Sequence, residues 1–302
     1  MFLVKPQQVT HIRLKLKGLQ TLSKAQAYDK KSAVYRKTVD LLSFSENQEG
    51  QGKIFGAGVY VIPFKLHLSR TLPGSFAHTA VDGDLTANVV YKLKAEAFIS
   101  RPAAAKLKHH QEIVINEASN VPDNMPNLVH KDQGFTCCFC ISRGTVAVTA
   151  QLDKAAYRAG EAVKLHLVLD NSSSKMALKD TRYSLMASLS IQSGTHKDKL
   201  ETLIQENAVP RVNAGEIADL DFTITLPHQS LASCRTNSIK SSYNLSIAVK
   251  IPWYSDVLID MPVTVYAREQ ASSHKGIVYS RDRPPNFLDT VDISTDMMLD
   301  YP

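Results

Sequence analysis

Along most of the chain, apolar and polar residues alternate one by one. Ile12, Leu14 and Leu16 alternate with His11, Arg13, Lys15 and Lys17, the period of two that buries one face of a strand and wets the other. Gly18 is expected to end this run. Val59, Val61, Phe64, Leu66 and Leu68 continue the pattern, and residues 88–98 place Val89, Tyr91, Leu93, Ala95 and Ala97 on one side, after a turn signal at Leu72-Pro73-Gly74-Ser75. In the second half, Val146, Val148, Ala150 and Leu152 form one alternating set. Val163, Leu165, Leu167 and Leu169 form the next, after a turn over residues 157–161. Further strands are predicted at 183–191, 218–226, 243–251 and 258–265. Helical spacing with caps is nearly absent. Residues 21–39 fit neither period, and 30–37 read as an exposed edge or a loop. Many short strands punctuated by turns predict an all-β class built as sandwiches.

The pattern also repeats at about one domain length. Phe64-x-Leu66-x-Leu68 is followed by Leu72-Pro73 and, 18 residues after Pro73, by Tyr91-x-Leu93-x-Ala95. Phe222-x-Ile224-x-Leu226 runs into Pro227 and, 16 residues later, into Tyr243-x-Leu245-x-Ile247. The chain has 302 residues, a length at which one core usually stops growing, so two similar sandwiches in tandem explain the echo. The boundary is expected in the polar stretch 116–134.

Charge separates the halves. Residues 1–140 hold 18 Lys and Arg against 11 Asp and Glu, whereas 141–302 hold 17 against 18, so the net +6 arises in the first half. A basic half points to an anionic partner: an acidic or phosphorylated peptide, anionic lipid or, ranked lowest because the cations are not blocked with aromatics, nucleic acid. No stretch approaches the ~18 uninterrupted apolar residues of a spanning helix, and residues 1–8 lack the build of a signal peptide. The expected place is the cytoplasm. Four cysteines, three of them crowded at Cys137, Cys138 and Cys140, suit neither a disulfide framework nor a zinc site, so reduced structural thiols are expected, with no metal and no cofactor. The chain shows no Gly-x-Ser-x-Gly elbow, His-Glu-x-x-His pair or phosphate-binding loop, and no catalytic residue is nominated.

Several ordered motifs together resemble a known family. Gly58-x-Tyr60-x-Ile62-Pro63-Phe64, Leu72-Pro73-Gly74-Ser75-Phe76, Val90-Tyr91-Lys92-Leu93-Lys94-Ala95 and Arg101-Pro102 resemble the amino-terminal domain of arrestin-domain-containing proteins, the α-arrestins. A hinge at residues 137–140, then Tyr157-x-Ala159-Gly160-Glu161-x-Val163 and Asn171-Ser172-Ser173, look like the start of their carboxy-terminal domain. The resemblance covers about residues 1–268. It implies two tandem arrestin-like, immunoglobulin-like β-sandwich domains, 1–134 and 135–268; in 269–302, where Asp282, Asp289, Asp292, Asp296 and Asp300 outnumber Arg281 and Arg283 and apolar periodicity fades, composition predicts a flexible acidic tail. It further implies a cytosolic adaptor that binds cytoplasmic tails of membrane proteins and links them to endocytosis, ubiquitination or sorting, with recruitment to the plasma membrane or endosomes. Ubiquitin ligases, coat proteins and the membrane surface are the further partners this implies. The alternative is a retromer-like coat subunit acting through sheet edges.

Two features depart from the family pattern. The strand pair carrying Tyr-x-x-Gly-Asp/Glu-x-Val, which usually precedes the segment that looks like 9–18, is missing, so the expectation is either a truncated start that lacks the first strands or another element covering that sheet edge. The Pro-Pro-x-Tyr motif that docks ligase WW domains is matched only by Pro284-Pro285-Asn286-Phe287, with Phe287 at the tyrosine position.

The candidate binding residues follow from strand geometry. With Ile12, Leu14 and Leu16 buried, Arg13, Lys15 and Lys17 project from one face about 7 Å apart, a row that phosphates on a flexible peptide can bridge. Arg101, Lys106 and Lys108, with His109 and His110, extend it. In the glycine-rich loop 46–58, Ile54 and Phe55 are candidate apolar contacts for a partner. The acidic tail, folded back over the basic half, would compete with the ligand.

Overall fold

The computed structural model describes residues 1–25, 27–43, 52–101, 105–119, 122, 125–137, 141–251, 254–267, 286–288 and 291–293. Every regular element among them is a strand. The first group is β1 (Phe2–Leu3), β2 (Gln7–Lys24), β3 (Tyr28–Ser43), β4 (Lys53–Phe55), β5 (Gly58–Val61), β6 (Phe64–Leu66), β7 (Phe76–Thr79), β8 (Leu85–Arg101) and β9 (Ala105–Ile113). The second is β10 (Asn127–Cys137), β11 (Ile141–Leu152), β12 (Ala156–Arg158), β13 (Ala162–Asp170), β14 (Thr181–Ser193), β15 (His196–Ala208), β16 (Ile217–Thr225), β17 (Cys234–Arg235), β18 (Ile239–Val249) and β19 (Val257–Tyr266). Two short strands follow, β20 (Asn286–Phe287) and β21 (Val291–Ile293).

The main sheet of the first sandwich is ordered β3-β2-β8-β7, with β4 also paired to β2 and β9 to β8. Its buried face carries Val9, Ile12, Leu14 and Ala97, and against it pack Tyr60, Ile62, Leu66 and Leu288 from the opposite layer. That layer is assembled from distant parts of the chain: β5 pairs with β1 and, in parallel, with β20, while β6 pairs in parallel with β21. The backbone of Tyr60 bonds to Met1 and that of Val61 to Leu288, so β5 has a partner on each edge.

The strand predicted to stop at Gly18 runs on to Lys24, with a shift of register at Gly18. The glycine is needed for packing, not for a turn. A Cβ there would lie 2.5 Å from the Tyr91 ring, so the strand passes the aromatic only because the position is bare. The unassigned stretch divides: residues 21–24 finish β2, and from Tyr28 it forms the edge strand β3.

The second sandwich stacks the sheet β10-β11-β13-β16 on β12-β19-β18-β14-β15, and its core is an apolar slab of Val, Leu and Ile from both inner faces. Strand β10 pairs along its length with β11, up to Cys137 opposite Ile141, so Cys137, the first residue of the expected interdomain hinge, belongs to a paired strand of the second sandwich. The chain crosses between the sandwiches before Asn127, so the break at 134/135 falls inside a paired strand. Cys138 and Cys140 lie outside the described residues. Cys234 is buried, and burial pushes its thiol up to about 12.

The internal echo has a structural meaning. Tyr91 on β8 donates its hydroxyl to the Pro73 carbonyl at 2.8 Å, and Tyr243 on β18 donates to the Leu231 carbonyl at 2.8 Å. Each tyrosine ties a central strand of its sandwich to the loop leading out of the repeated Phe-x-hydrophobic-x-Leu segment. Burial raises both phenols, so they remain neutral donors. The two sandwiches are joined by apolar contact: Leu16, Leu22, Phe76, Tyr91 and Ile115 form one cluster with Leu189, Ile191, Cys234 and Ile239. An ion pair between Lys24 and Asp198 closes its rim.

Candidate functional site

The outward face of the first sandwich is built by register. Opposite Lys17 stand Arg36 on β3 and Lys92 on β8; opposite Lys15 stand Thr38 and Lys94; opposite Arg13 stand Asp40 and Glu96. Strand β9 adds Glu112, His110 and Lys108 to these three rows, then Lys106 beside Phe98. Strands lie about 4.8 Å apart, so the cations form a lattice and not a single line. The sequence row is one column of that lattice.

The columns are not equivalent. Glu96 is only 2% exposed and sits between Lys15 Nζ at 2.8 Å and Lys94 Nζ at 2.9 Å. Hydrogen bonds from Lys15 and Lys94 hold its carboxyl down, to about 2, so it stays ionised at any physiological pH. Arg13 donates Nε–H to Asp40 Oδ1 at 2.7 Å, and Lys92 lies 3.0 Å from Glu112. Arg13 and Lys15 are therefore partly neutralised. Lys17 and Arg36 join no ion pair among the described residues, so the unbalanced positive charge gathers at these two, beside the paired Lys92.

Phe98 organises the other end. His11 stacks on its ring at 3.8 Å between centroids, Lys106 Nζ lies 4.1 Å from the ring centre and the Arg13 guanidinium 5.4 Å. Cation–π attraction of this kind is worth about 0.5–1 kcal/mol at an exposed site, enough to fix where a lysine head rests without hiding it.

The predicted residues are thus partly assembled. Arg13, Lys15, Lys17, Lys106 and Lys108 share one outward face, whereas His109 faces the other side of β9. Arg101 pairs through its backbone with Gln8, and its side chain is outside the described set. The sequence reading omitted Arg36, Lys92 and Lys94. The alternation Tyr91-Lys92-Leu93-Lys94 carried a signal for the last two. Arg36 lies in the stretch where the period was illegible.

The loop pair divides. Ile54 is 71% exposed, but Phe55 is 3% exposed, packed edge-on to Tyr60 at 4.9 Å and sunk among Val9 and Ile12. Residues 53–55 are a strand paired with Gln7–Val9, so neighbouring side chains must point to opposite sides. Phe55 is a core residue and is not available to a partner.

Pro284 and Pro285 lie outside the described residues, and Asn286–Phe287 are strand β20. The described tail segments do return to the first sandwich, yet they join the layer from which Leu288 packs against the cluster that contains Ile12 and Leu14. That layer is across the core from the cations.

Between the sandwiches lies a cleft of about 530 Å³, lined by Arg70, Glu117, Arg235, Ser241 and Tyr243 among others. Burial raises the Glu117 carboxyl although Arg235 is 4.0 Å away. Among the described residues no group of three His, Cys, Asp or Glu is placed to hold a metal ion, and no helix is long and apolar enough to cross a membrane.

Two stacked sandwiches with this strand order invite comparison with known proteins. Residues 142–270 match the family model described as arrestin (or S-antigen), C-terminal domain. Arrestin domain-containing protein A of Dictyostelium discoideum is 26% identical over 277 residues, 84% of this chain and 44% of its own. The second half of this chain is thus similar to an arrestin C-terminal domain, and the chain as a whole resembles arrestin-domain-containing proteins, the α-arrestins. Human arrestin domain-containing protein 4 is 22% identical over 261 residues, 82% of this chain and 59% of its own length. Human thioredoxin-interacting protein is 23% identical over 192 residues, 62% and 48% of the two chains. The chain therefore spans about half the length of the curated relatives it matches.

Proposed function

We propose that the protein is an adaptor without chemistry of its own, which binds acidic or phosphorylated cytoplasmic tails of membrane proteins and links them to endocytosis, ubiquitination or sorting. It would work in the cytoplasm and be recruited to the plasma membrane or endosomes. The observation that supports this most is the cation lattice on the outward face of β3-β2-β8-β9, held on a sandwich that is locked to its neighbour by shared apolar packing. Such a platform offers many weak charge-assisted contacts in fixed positions, which suits peptides that vary in sequence but not in sign.

Ligase docking through Pro284, Pro285 and Phe287 requires β20 to leave β5, in addition to tolerating the missing phenol. A second reading, a coat subunit acting through sheet edges, has its own support: β15 is a 13-residue edge strand on which Leu200 and Leu203 are 56% and 52% exposed.

The triple variant Lys17→Glu, Arg36→Glu, Lys92→Glu decides between them. In a proximity inventory from cells, the adaptor reading expects loss of membrane-protein partners, with a β-sheet circular dichroism spectrum unchanged. Binding of acidic peptides should also weaken roughly tenfold between low and physiological salt, because exposed charges are screened beyond about 8 Å at 0.15 M. An unchanged inventory, or affinity indifferent to salt, removes the basic face from the mechanism and leaves the edges.

A further inference from the structure

The cation lattice has a front and an edge, and only the edge can form a specific complex with a peptide backbone. Strands β2 and β8 are paired on both sides, so a peptide lying over them meets side chains alone. Strand β9 differs. It pairs with β8 along one side, and on its other side no described strand follows. Residues 105–112 are all exposed, so both faces of this strand are wet and its free edge presents unpaired N–H and C=O groups over about 30 Å.

Side chains decide what can pair there. Lys106, Lys108 and His110 alternate on the outward side, backed by Phe98, Glu96 and Lys94 of β8. Lysine on an exposed edge turns away basic and apolar strands; by the same charge it admits an acidic one. The opposite edge strand, β3, is a poorer template. Its register to β2 breaks twice, and Asp40 stands on the outward side opposite Arg13.

We propose that the free edge of β9 is a strand-addition site for an extended acidic peptide, whose acidic or phosphorylated residues, at every second position, face Lys106 and Lys108. Backbone hydrogen bonds supply register and the alternating cations supply selectivity. A cargo tail would be read by the spacing of its negative charges, i and i+2, and not by their number alone. This rests on the adaptor reading above and specifies where on the basic face the tail lies.

The test uses the whole 302-residue chain and a fluorescent 11-residue peptide with glutamate at alternate positions and serine or threonine between, followed by anisotropy. Lys106→Glu with Lys108→Glu should weaken binding at least tenfold, while Lys164→Glu on β13 of the second sandwich should not. Two N-methylated peptides separate strand pairing from charge. Methylating every second amide in one phase should cost at least tenfold, and in the other phase little, because alternate amides of an added strand point away from β9. Amide exchange of the unmodified protein should slow across 105–113 when the peptide is present. Equal tolerance of both methylation phases, with no slowing at β9, overturns strand addition and leaves the adaptor reading standing. The same holds if binding is lost in the Lys17, Arg36 and Lys92 variant but not in the Lys106 and Lys108 one. Vesicles containing phosphatidylserine bound in preference to every peptide would overturn both.

Discussion

Glu96 shows how one residue sets the character of the face. A carboxylate at 2% exposure in the middle of a cationic sheet fixes Lys15 and Lys94 and leaves Lys17 and Arg36 unbalanced. Its folded-state pKa is depressed, so the stabilisation it provides is present above the unfolded value near 4.3 and is lost as pH falls toward about 2. Glu96→Gln should therefore unfold at lower denaturant than the parent at pH 6, and the difference should shrink between pH 5 and pH 2. A constant difference across that range would mean that packing, not ionisation, accounts for the loss. Gly18 is the second instructive residue. Read as punctuation, it ends a strand; read against the Tyr91 ring 2.5 Å from its missing Cβ, it is what lets an 18-residue strand continue.

Among elements, the tail behaves least as its composition suggests. Acidic residues and fading periodicity in 269–302 describe a free segment, yet 286–288 and 291–293 pair with β5 and β6 and bring Leu288 against the first core. Deleting 269–302 should lower stability by about 1–2 kcal/mol, the scale for uncovering one partly buried leucine, read from a denaturant midpoint. Affinity for acidic peptides should stay the same, because these strands occupy the layer away from the cations; a gain in affinity on deletion would show that the tail reaches the basic face after all. The alternation of 9–17, 88–98 and 163–169 was legible because each strand buries one side only. Strand β3 was not, since two breaks in its register to β2 shift the phase of its alternation: 29–33 stay exposed, while Tyr35, Val39 and Leu41 turn to the core. Phe55 was misplaced for a related reason: a three-residue strand is too short to show a period, and only its pairing with β2 reveals which side is inside.

For the molecule as a whole, the question is whether two sandwiches act as one body. The cluster that unites Leu16, Leu22 and Tyr91 with Leu189, Ile191 and Ile239 is continuous across the junction. Ile191 is 1% exposed there, so Ile191→Ala should cost about 2–5 kcal/mol. Because the lost contacts belong to both sandwiches, intrinsic fluorescence and circular dichroism should shift together in one transition. Two separated transitions in the parent protein would mean that the junction is a loose contact, and the platform a flexible pair.

What the sequence determined by itself is the class and its doubling. A period of two, turn residues at its breaks and a repeated Phe-x-hydrophobic-x-Leu then Tyr-x-Leu motif follow from local rules of burial, and the two tyrosines do occupy matching places. Only the tertiary structure decided which cations stand together. Register across β3, β2, β8 and β9 is set by strand pairing between residues up to about a hundred positions apart, so Arg36, Lys92 and Lys94 join Lys17 through folding alone. It also decided that β20 and β21 complete the layer opposite those charges, because a parallel partner for β5 and β6 can come from any distance along the chain.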